Sequence, residues 1–528
     1  MNIINTLQTD ILVIGGGLAG ITAATTAATR ARKVILVSKE PIGYSGNSLV
    51  TGAGISVATQ DHDNTVAAYY DDLLKSGKGL ANEKLVRKLA AESFSVLQAM
   101  QEVGVKFVYD KNGSLKVRKP PGHSVARNFT TDWNTVPYQN RGLTITLPFL
   151  QKLTATSTQL LEKIKIIKLL HDEHGIRGAL GVDRQKKYYH FITRRIILAT
   201  GGTGFIFAKT NNTSDAVGDG LALALEAGCR LQDMEQIQFY PTMMFEPEKI
   251  PIAGSLFGEG AILLNKNKEA FMARYDAQAD MATRDKMAQA IFLEIQQGRG
   301  IDGCVYMDCQ GINKEKLQAR FANLYKELKR HKLDLTQNLI RITPAVHFTL
   351  GGVVIDEKAY TGVPGLYAAG EICGGVHGAN RLAGAALVEA YIFGKQAGIS
   401  ASENFGHALK IHEPEVLPDK LFALGQAQLT KEFRTAMWKN VSLIRSEHTL
   451  LEMQEYINSL KAALHASRQR GLILTVAEAI VESALLRKES RGAHYRSDYP
   501  NLDTAFNGNI QCWLEDGELQ YKFRKKVQ

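Results

Sequence analysis

The sequence predicts an α/β protein in three parts: a parallel-sheet core divided between two stretches of chain, an inserted α+β unit, and a helical C-terminal region. Three features lead to that expectation. Near the N-terminus an apolar run, Ile11 to Ile14, is followed by a glycine turn, an Ala/Thr-rich helical stretch and a second apolar run in RKVILVSKE. HFITRRIILATGG later repeats the step from strand to glycine pair, and GLYAAGE and HGANRLAGAALVEAYIFGKQAG return to the same chemistry. Between these glycine-rich regions, from about Leu231 to Arg341, the pattern changes, and after Gly398 it reads as almost continuously helical to about Leu486. The three parts are placed at 1–230 with 342–400, at 231–341, and at 401–528. A chain of 528 residues is too long for one core, so several domains are expected.

Taken in order, Ile11, Leu12, Val13 and Ile14 have the continuous apolar character of a strand buried on both faces. Gly15, Gly17 and Gly20 follow at the spacing G-x-G-x-x-G. In that setting the first glycine permits a tight turn, the second lets backbone approach a pyrophosphate, and the third lets helix pack on strand. The helix N-terminus then offers free N–H groups and the positive end of its dipole to phosphate. Three glycines alone make only a turn; between a buried strand and a helix they point to dinucleotide binding. The second strand ends at Val37-Ser38-Lys39 rather than in the acidic residue that often holds a ribose, and Glu40 comes two residues later. Ser38 and Glu40 are both candidates for that contact. GYSGNSLVTGAGISVA, which contains Asn47, Ser48 and Gly54, has the small residues that suit backbone running close under a flat ring.

Helical spacing predicts helices over about Thr65 to Leu74 and Glu83 to Val103. Pro120, Pro121 and Gly122 mark a loop, with His123, Ser124 and Arg127 after it. Arg141 to Lys152 reads as a strand edge running into a helix. KIKIIKLLHD and HFITRRIILATGG read as strands, the second ending at Gly201-Gly202, a second close-approach site of a two-part cofactor cradle. MATRDKMAQAIFLEIQQ, Met281 to Gln297, is an amphipathic helix with Arg284 near its start.

Composition removes several classes. No stretch approaches the roughly 20 apolar residues of a membrane span. The N-terminus lacks a charged leader, an apolar core and a small-residue cleavage site, so the expected location is cytoplasmic. Cys229, Cys304, Cys309, Cys373 and Cys512 are dispersed without a C-x-x-C pair, so neither an iron–sulfur cluster nor a zinc site is expected within this chain. The net charge of +10 is spread over modest clusters at Arg184 to Lys187, Lys326 to Lys332 and Arg524 to Lys526. A solvated surface accounts for it; docking to an acidic protein or a membrane surface is the sharper alternative. No nucleic-acid motif accompanies the basic charge, so no nucleic-acid partner is expected.

Together the motifs resemble the flavoprotein subunits of succinate dehydrogenase and fumarate reductase, with L-aspartate oxidase, nearly end to end. DILVIGGGLAG looks like the family's FAD fingerprint, ILATGG like its second FAD contact, and VGDGLALALEAGCRLQDMEQIQFYPT like its T-G-D-G…Q-F-H-P-T stretch. ATRDK, HFTLGG, GLYAAGE, HGANRLAG and ESRGAHYRSDYP each match a family motif. The resemblance implies a Rossmann-like FAD-binding domain, an inserted α+β capping domain and a C-terminal helical domain. It carries FAD contacts onto Gly15, Gly17, Gly20, Ser38, Lys39, Asn47, Ser48, Gly54, Gly201, Asp219, Glu371, Ala386 and Leu387. It also implies hydride transfer at flavin N5, with Arg284 moving the proton at the other carbon of a carbon–carbon bond, and His347 and Arg381 clamping one substrate carboxylate.

Three departures from the family bear on the chemistry. Asn47 stands where members with covalent FAD carry the linking histidine, and an amide cannot serve as that nucleophile, so FAD is expected to be non-covalent. Tyr240 replaces the histidine of Q-F-H-P-T, and Ala253 falls where a threonine completes the second carboxylate clamp. Gly254 and Phe257 replace the Glu and Arg of the proton relay, leaving Glu259 close by in sequence. A pocket lined by Tyr240 and Phe257 disfavours a second carboxylate, with the Tyr240 hydroxyl free to give one hydrogen bond. The reading is an FAD enzyme acting on a carbon–carbon bond next to a carboxylate, on a small acid other than fumarate, such as one with an aryl or alkyl tail. The alternatives are a fumarate reductase, succinate dehydrogenase or L-aspartate oxidase flavoprotein with rearranged contacts, and a non-catalytic electron-transfer subunit. Electrons arrive by a partner, by a diffusible reduced flavin or quinone, or leave to oxygen. The missing cluster motifs and the charged ESRGAHYRSDYP point to an iron–sulfur electron-transfer subunit, with membrane contact only through such a partner.

Overall fold

The computed structural model describes residues 4–31, 33–59, 61–403, 430–462 and 468–526. Ile11–Ile14 forms a strand because all four side chains are buried, the most exposed at 5%. It pairs in parallel with Val34–Val37 on one side and Ile196–Leu198 on the other. Gln159–Leu161 and Leu366–Ala368 extend this sheet to five parallel strands. Ile14 is in register with both Val37 and Leu198, so the glycine turns that follow open along one edge. That edge, at the carboxyl ends of the strands, is where open α/β sheets bind ligands. Helices Leu18–Ala28 and Ala385–Ala401 pack together against the sheet, each N-terminus turned to the same edge.

A second sheet, ordered Ile4–Gln8, Tyr188–Ile192, Gly175–Asp183 and Ile164–Asp172, lies beside the first. HFITRRIILATGG is therefore two strands in two sheets, broken at Thr193 to Arg195, rather than one. Arg141 to Lys152 contains no strand edge. A single turn of 3-10 helix, Tyr138–Asn140, leads into helix Leu143–Thr154, whose β-branched Ile145 and Thr146 are buried toward the first helix.

Strands Ile237–Met244 and Ile340–Thr349 leave and re-enter the core as an antiparallel pair. Val305–Asp308, Ile262–Leu264 and Ile250–Pro251 complete a five-stranded sheet around them. A separate apolar cluster sits here, built from Met244 to Ile342 and joined by Tyr138 from outside that stretch. Helix Arg284–Gln296 packs on the two long strands and points its N-terminus back toward the sheet edge of the core.

Lys431–Val441, Glu447–Ala462 and Arg468–Leu486 are helices; the rest of the expected helical run falls on 404–429 and 463–467, outside the described residues. The chain does not finish as a helical tail. Gly508–Glu515 and Glu518–Lys525 form a hairpin whose first strand pairs with Leu231–Gln232. Its turn, Asp516-Gly517, takes positive φ at both residues, as a two-residue type I′ turn demands. ESRGAHYRSDYP is not a free charged surface either. Arg487 binds Glu235 and Asp233 at 2.5 and 3.3 Å, Arg491 binds Glu489 at 2.7 Å, and Arg445 meets His494 at 2.7 Å. Glu489, His494 and Arg496 are fully buried, so these charges are consumed internally. No helix among the described residues is long and apolar enough to cross a membrane.

Candidate active site

A cavity of about 890 Å³ opens at the carboxyl edge of the parallel sheet and continues beneath the inserted unit. Gly15 and Gly17 line its inner end. Gly15 has φ +119°, and a Cβ there would lie 2.2 Å from Ala199 O, so only glycine fits. Gly20 does not touch the cavity; a Cβ there would lie 1.9 Å from Gly15 O, which makes it the residue that lets the helix sit on the turn. Ser48 lines the cavity and accepts from Leu18 N–H at 3.1 Å, which ties GYSGNSLVTGAG to the helix start.

Ser38 and Glu40 separate cleanly. Ser38 is buried on the cavity wall, whereas Glu40 is turned away and pairs with Arg184 at 2.7 Å. Asp219 is held by Lys39 at 2.8 Å and Lys165 at 3.1 Å. Burial pushes its carboxyl up, but the two ammonium groups outweigh that and hold it well below the usual range. Lys39, Gly54, Gly201, Ala386 and Leu387 also line the cavity.

Asn47 is the hub of a hydrogen-bonded chain. Its amide donates to Glu371 Oε2 at 2.7 Å and to Asn212 Oδ1 at 2.8 Å. Burial pushes the Glu371 carboxyl up to about 7, even though Asn47 and the Thr349 N–H both bond it. Asn212 donates onward to Asn211 Oδ1 at 3.2 Å and to His347 O at 2.9 Å. The Asn211 side-chain amide lies against His347 Nδ1, its nitrogen at 3.0 Å and its oxygen at 3.2 Å. Burial, then Arg381, then Arg284 hold His347 well below its ordinary pKa, so the ring is neutral.

Arg381 lies half-buried on the same wall, 4.9 Å from the Phe348 ring, and donates to Leu382 O at 3.0 Å. Its Nε is out of solvent without a partner. Burial, then neighbouring Arg284, pulls its pKa down to about 10. Arg284 opens its helix on the facing wall, exposed within the cavity, with its guanidinium 5.8 Å from the Tyr240 ring. The Tyr240 and His347 rings are 5.7 Å apart. Arg284, His347, Arg381 and Tyr240 therefore converge on one end of the cavity.

Three expectations at this end are corrected. The Tyr240 hydroxyl is not free: it donates to Ile252 O at 2.9 Å. Phe257 is packed into the apolar cluster of the inserted unit and the Glu259 side chain is covered by Lys316 and Arg320, and neither lines the cavity. Both sit on the 3-10 turn Gly254–Glu259, where Glu259 is captured by Lys316 at 2.5 Å and by Arg320. Glu259 is thus no relay to Arg284. Ala253 and Ser255 line the wall from that turn instead. Sequence reading also missed Asn211 and Asn212, whose only signal was an Asn pair just ahead of VGDG, and Trp133, Tyr138 and Arg141, which also line the wall.

Comparison with known proteins agrees with these motifs. The family model described as "FAD binding domain" matches residues 10–387, and "Fumarate reductase flavoprotein C-term" matches 463–526. The chain is 32% identical to a fumarate reductase (CoM/CoB) subunit of Methanothermobacter marburgensis, over 95% of this chain and 96% of that one. It is 33% identical to L-aspartate oxidase of Pseudomonas aeruginosa, over 94% and 96%. Among solved structures, Mycobacterium smegmatis Sdh1 in complex with UQ1 matches with a TM-score of 0.87 and 28% identity, covering 99% of this chain and 95% of that one.

Proposed function

The chain belongs to the FAD-dependent oxidoreductase family of fumarate reductase and L-aspartate oxidase flavoproteins, and we propose that it adds or removes a hydride and a proton across a carbon–carbon bond next to a carboxylate, on an acid other than fumarate. FAD fits the residues present. The turn at Gly15 and Gly17 leaves backbone open to the cavity, Gly201 has no atom within 4 Å of where a Cβ would stand, and buried Ser38 reaches the same wall as the ribose contact. Bound FAD supplies the two-electron hydride chemistry. The protein supplies the rest: Arg381 and the neutral His347 imidazole bind and polarise one carboxylate, and Arg284 holds the proton for the neighbouring carbon.

The observation that carries this reading is the convergence of three donors without a carboxylate partner. Arg381 keeps an unpartnered Nε beside Arg284 and His347, and no protein carboxylate pairs with Arg381 or Arg284 among the described residues. Like charges gathered in a cavity are the signature of an anion site. A guanidinium has an ordinary pKa of about 12.5 and must be re-protonated after it acts. Arg284 is exposed to the cavity, so water serves where Glu259 does not.

Substrate choice follows from the far wall. Tyr240 and Tyr138 both spend their hydroxyls on backbone carbonyls, and Ala253 adds only a methyl group. A second carboxylate pressed there would exchange hydration for ring faces. The same reading takes 231–341 as the capping domain, the cytoplasm as the location, and a separate iron–sulfur protein as the electron partner. A second reading, reduction of fumarate itself or oxidation of L-aspartate, draws on the relatives' names at 32–33% identity over nearly their whole length. The deciding experiment is photometric. Reduced holoenzyme is mixed anaerobically with a panel of enoates, and flavin re-oxidation by an enoate faster than by fumarate is the expected result. Re-oxidation by no enoate would sink the proposal in favour of a non-catalytic role, and fumarate as the fastest oxidant would favour the second reading.

A further inference from the structure

Two phenols line the cavity, Tyr240 with its ring 5.7 Å from that of His347, and Tyr138. Tyr240 and Tyr138 come from distant stretches, yet their hydroxyls donate to consecutive carbonyls, Ile252 O at 2.9 Å and Pro251 O at 3.0 Å. One guanidinium flanks each ring: Arg284 lies 5.8 Å from the Tyr240 centroid, and Arg141 lies 4.3 Å from the Tyr138 centroid. Arg141 is also 5.3 Å from Trp133, whose ring meets Tyr138 edge-on at 5.6 Å. The two rings flank its planar group, which also hydrogen-bonds the Tyr138 side chain.

Among the described residues nothing serves this guanidinium as a counter-ion. Arg141 lines the cavity half-buried, its Nε is out of solvent without an acceptor, and no carboxylate pairs with it among the described residues. Asp132 lines the same stretch, and its Oδ1 accepts from the backbone N–H and the side-chain amide of Asn134. Lys116 and Arg118 add positive charge to that part of the wall. A fixed, unpaired guanidinium in a cavity that already binds one carboxylate has the geometry for a second, taken bidentately.

We propose that Arg141 anchors a distal carboxylate of the substrate. The acid this site takes is then an enoate longer than a four-carbon diacid, charged at both ends and uncharged where it crosses the Tyr240 and Tyr138 rings. An aryl enoate with a carboxylate on its ring has that shape, its aromatic middle stacking on the phenols. This rests on the assignment of His347 and Arg381 as the proximal clamp.

The test compares cinnamate with 4-carboxycinnamate on the FAD-loaded protein. Binding to the oxidised form is read from the flavin spectrum, and turnover from re-oxidation of the reduced form. The wild type is expected to bind 4-carboxycinnamate about tenfold or more tightly than cinnamate, the worth of one charge-assisted contact. In Arg141→Met that ratio falls toward one, with Arg141→Lys between. A wild-type ratio of one, or a ratio retained in both variants, overturns the inference. Failure of the underlying reading looks different: neither acid re-oxidises the reduced wild type, while the binding ratio still decides the role of Arg141.

Discussion

Replacing Arg381 by methionine should remove substrate binding and leave the fold standing. The guanidinium sits on the cavity wall with an unpartnered Nε, one bond to Leu382 O and the Phe348 ring beneath it. Burial and Arg284 depress its pKa to about 10, which means the unliganded protein carries this charge at a cost that a bound carboxylate relieves. A charge-assisted contact is worth about 1.5–3 kcal/mol, or roughly 10- to 150-fold in Kd. Ligand at 100 times its Kd stabilises the folded protein by about 2.7 kcal/mol; if Kd weakens 100-fold, the same concentration gives only about 0.4 kcal/mol. Thermal unfolding of the holoenzyme, with and without a saturating enoate, reads both quantities. The ligand-induced rise in Tm should nearly vanish in Arg381→Met, while the unliganded variant melts no earlier than the wild type. A variant that keeps the full ligand-induced rise refutes the clamp, and one that melts far earlier shows Arg381 to be a structural residue.

Other outcomes follow from the same geometry. Because Asn47 occupies the place of a linking histidine, acid precipitation should leave yellow FAD in the supernatant; colour retained in the pellet would contradict this. Arg284→Lys should abolish turnover of an accepted enoate with FAD still bound, since lysine lacks the planar fork, and unchanged turnover would place the proton source elsewhere. Burial and two arginines hold the His347 pKa well below its ordinary value, so with Glu371→Gln as background, to remove the cavity carboxyl that titrates near pH 7, enoate affinity should stay flat from pH 6 to 8, and a step near pH 6.5 in that variant would show that the ring titrates. Glu371 is raised from 4.5 to about 7, so the folded state favours its protonated form. The stability it contributes is present below about pH 4.5 and lost as pH rises through about 7; Glu371→Gln should lack that loss, and parallel Tm profiles for the two proteins would refute it.

The core of the fold was legible because its signals are local. Four apolar residues in a row, glycines at fixed spacing and an Ala-rich helix specify strand, turn and helix without reference to the rest of the chain. Arg284, His347 and Arg381 were legible only as members of motifs, since nothing in local periodicity brings residues from 284, 347 and 381 to one point. What escaped was set by tertiary packing or by single-residue rotation. Strand Gly175–Asp183 carries glycines at 175, 178 and 181, a composition depleted in strands. Phe257 and Glu259 share a tight turn with Ala253 and Ser255, and spacing alone cannot say which pair faces the cavity. Trp133, Tyr138 and Arg141 lie on a stretch with almost no regular structure, so no period marks their common face. The C-terminal hairpin is a different case: Asp516-Gly517 between alternating residues was a readable turn signal, masked by the charged stretch ahead of it.

The departures from the family pattern are connected through the structure. On the family resemblance Asn47 stands where a linking histidine would, and the asparagine donates two bonds that a singly protonated imidazole could not donate at once, one to Glu371 and one to Asn212. Through Asn212 and Asn211 that amide reaches the Nδ1 of His347, so Asn47 belongs to the chain that positions this ring. Tyr240 then closes over the other side of His347 at 5.7 Å, with its hydroxyl withdrawn to Ile252. A histidine in place of Tyr240 would offer a polar nitrogen where the chain now offers a ring face. On the proposed reading the pocket keeps one clamp, at His347 and Arg381, with the Tyr240 and Tyr138 rings and Arg141 lining the same cavity. If Arg141 anchors a distal carboxylate as proposed, the acid carries its charges far apart, and length, rather than the number of carboxylates, is the property by which this site would distinguish its substrate from fumarate.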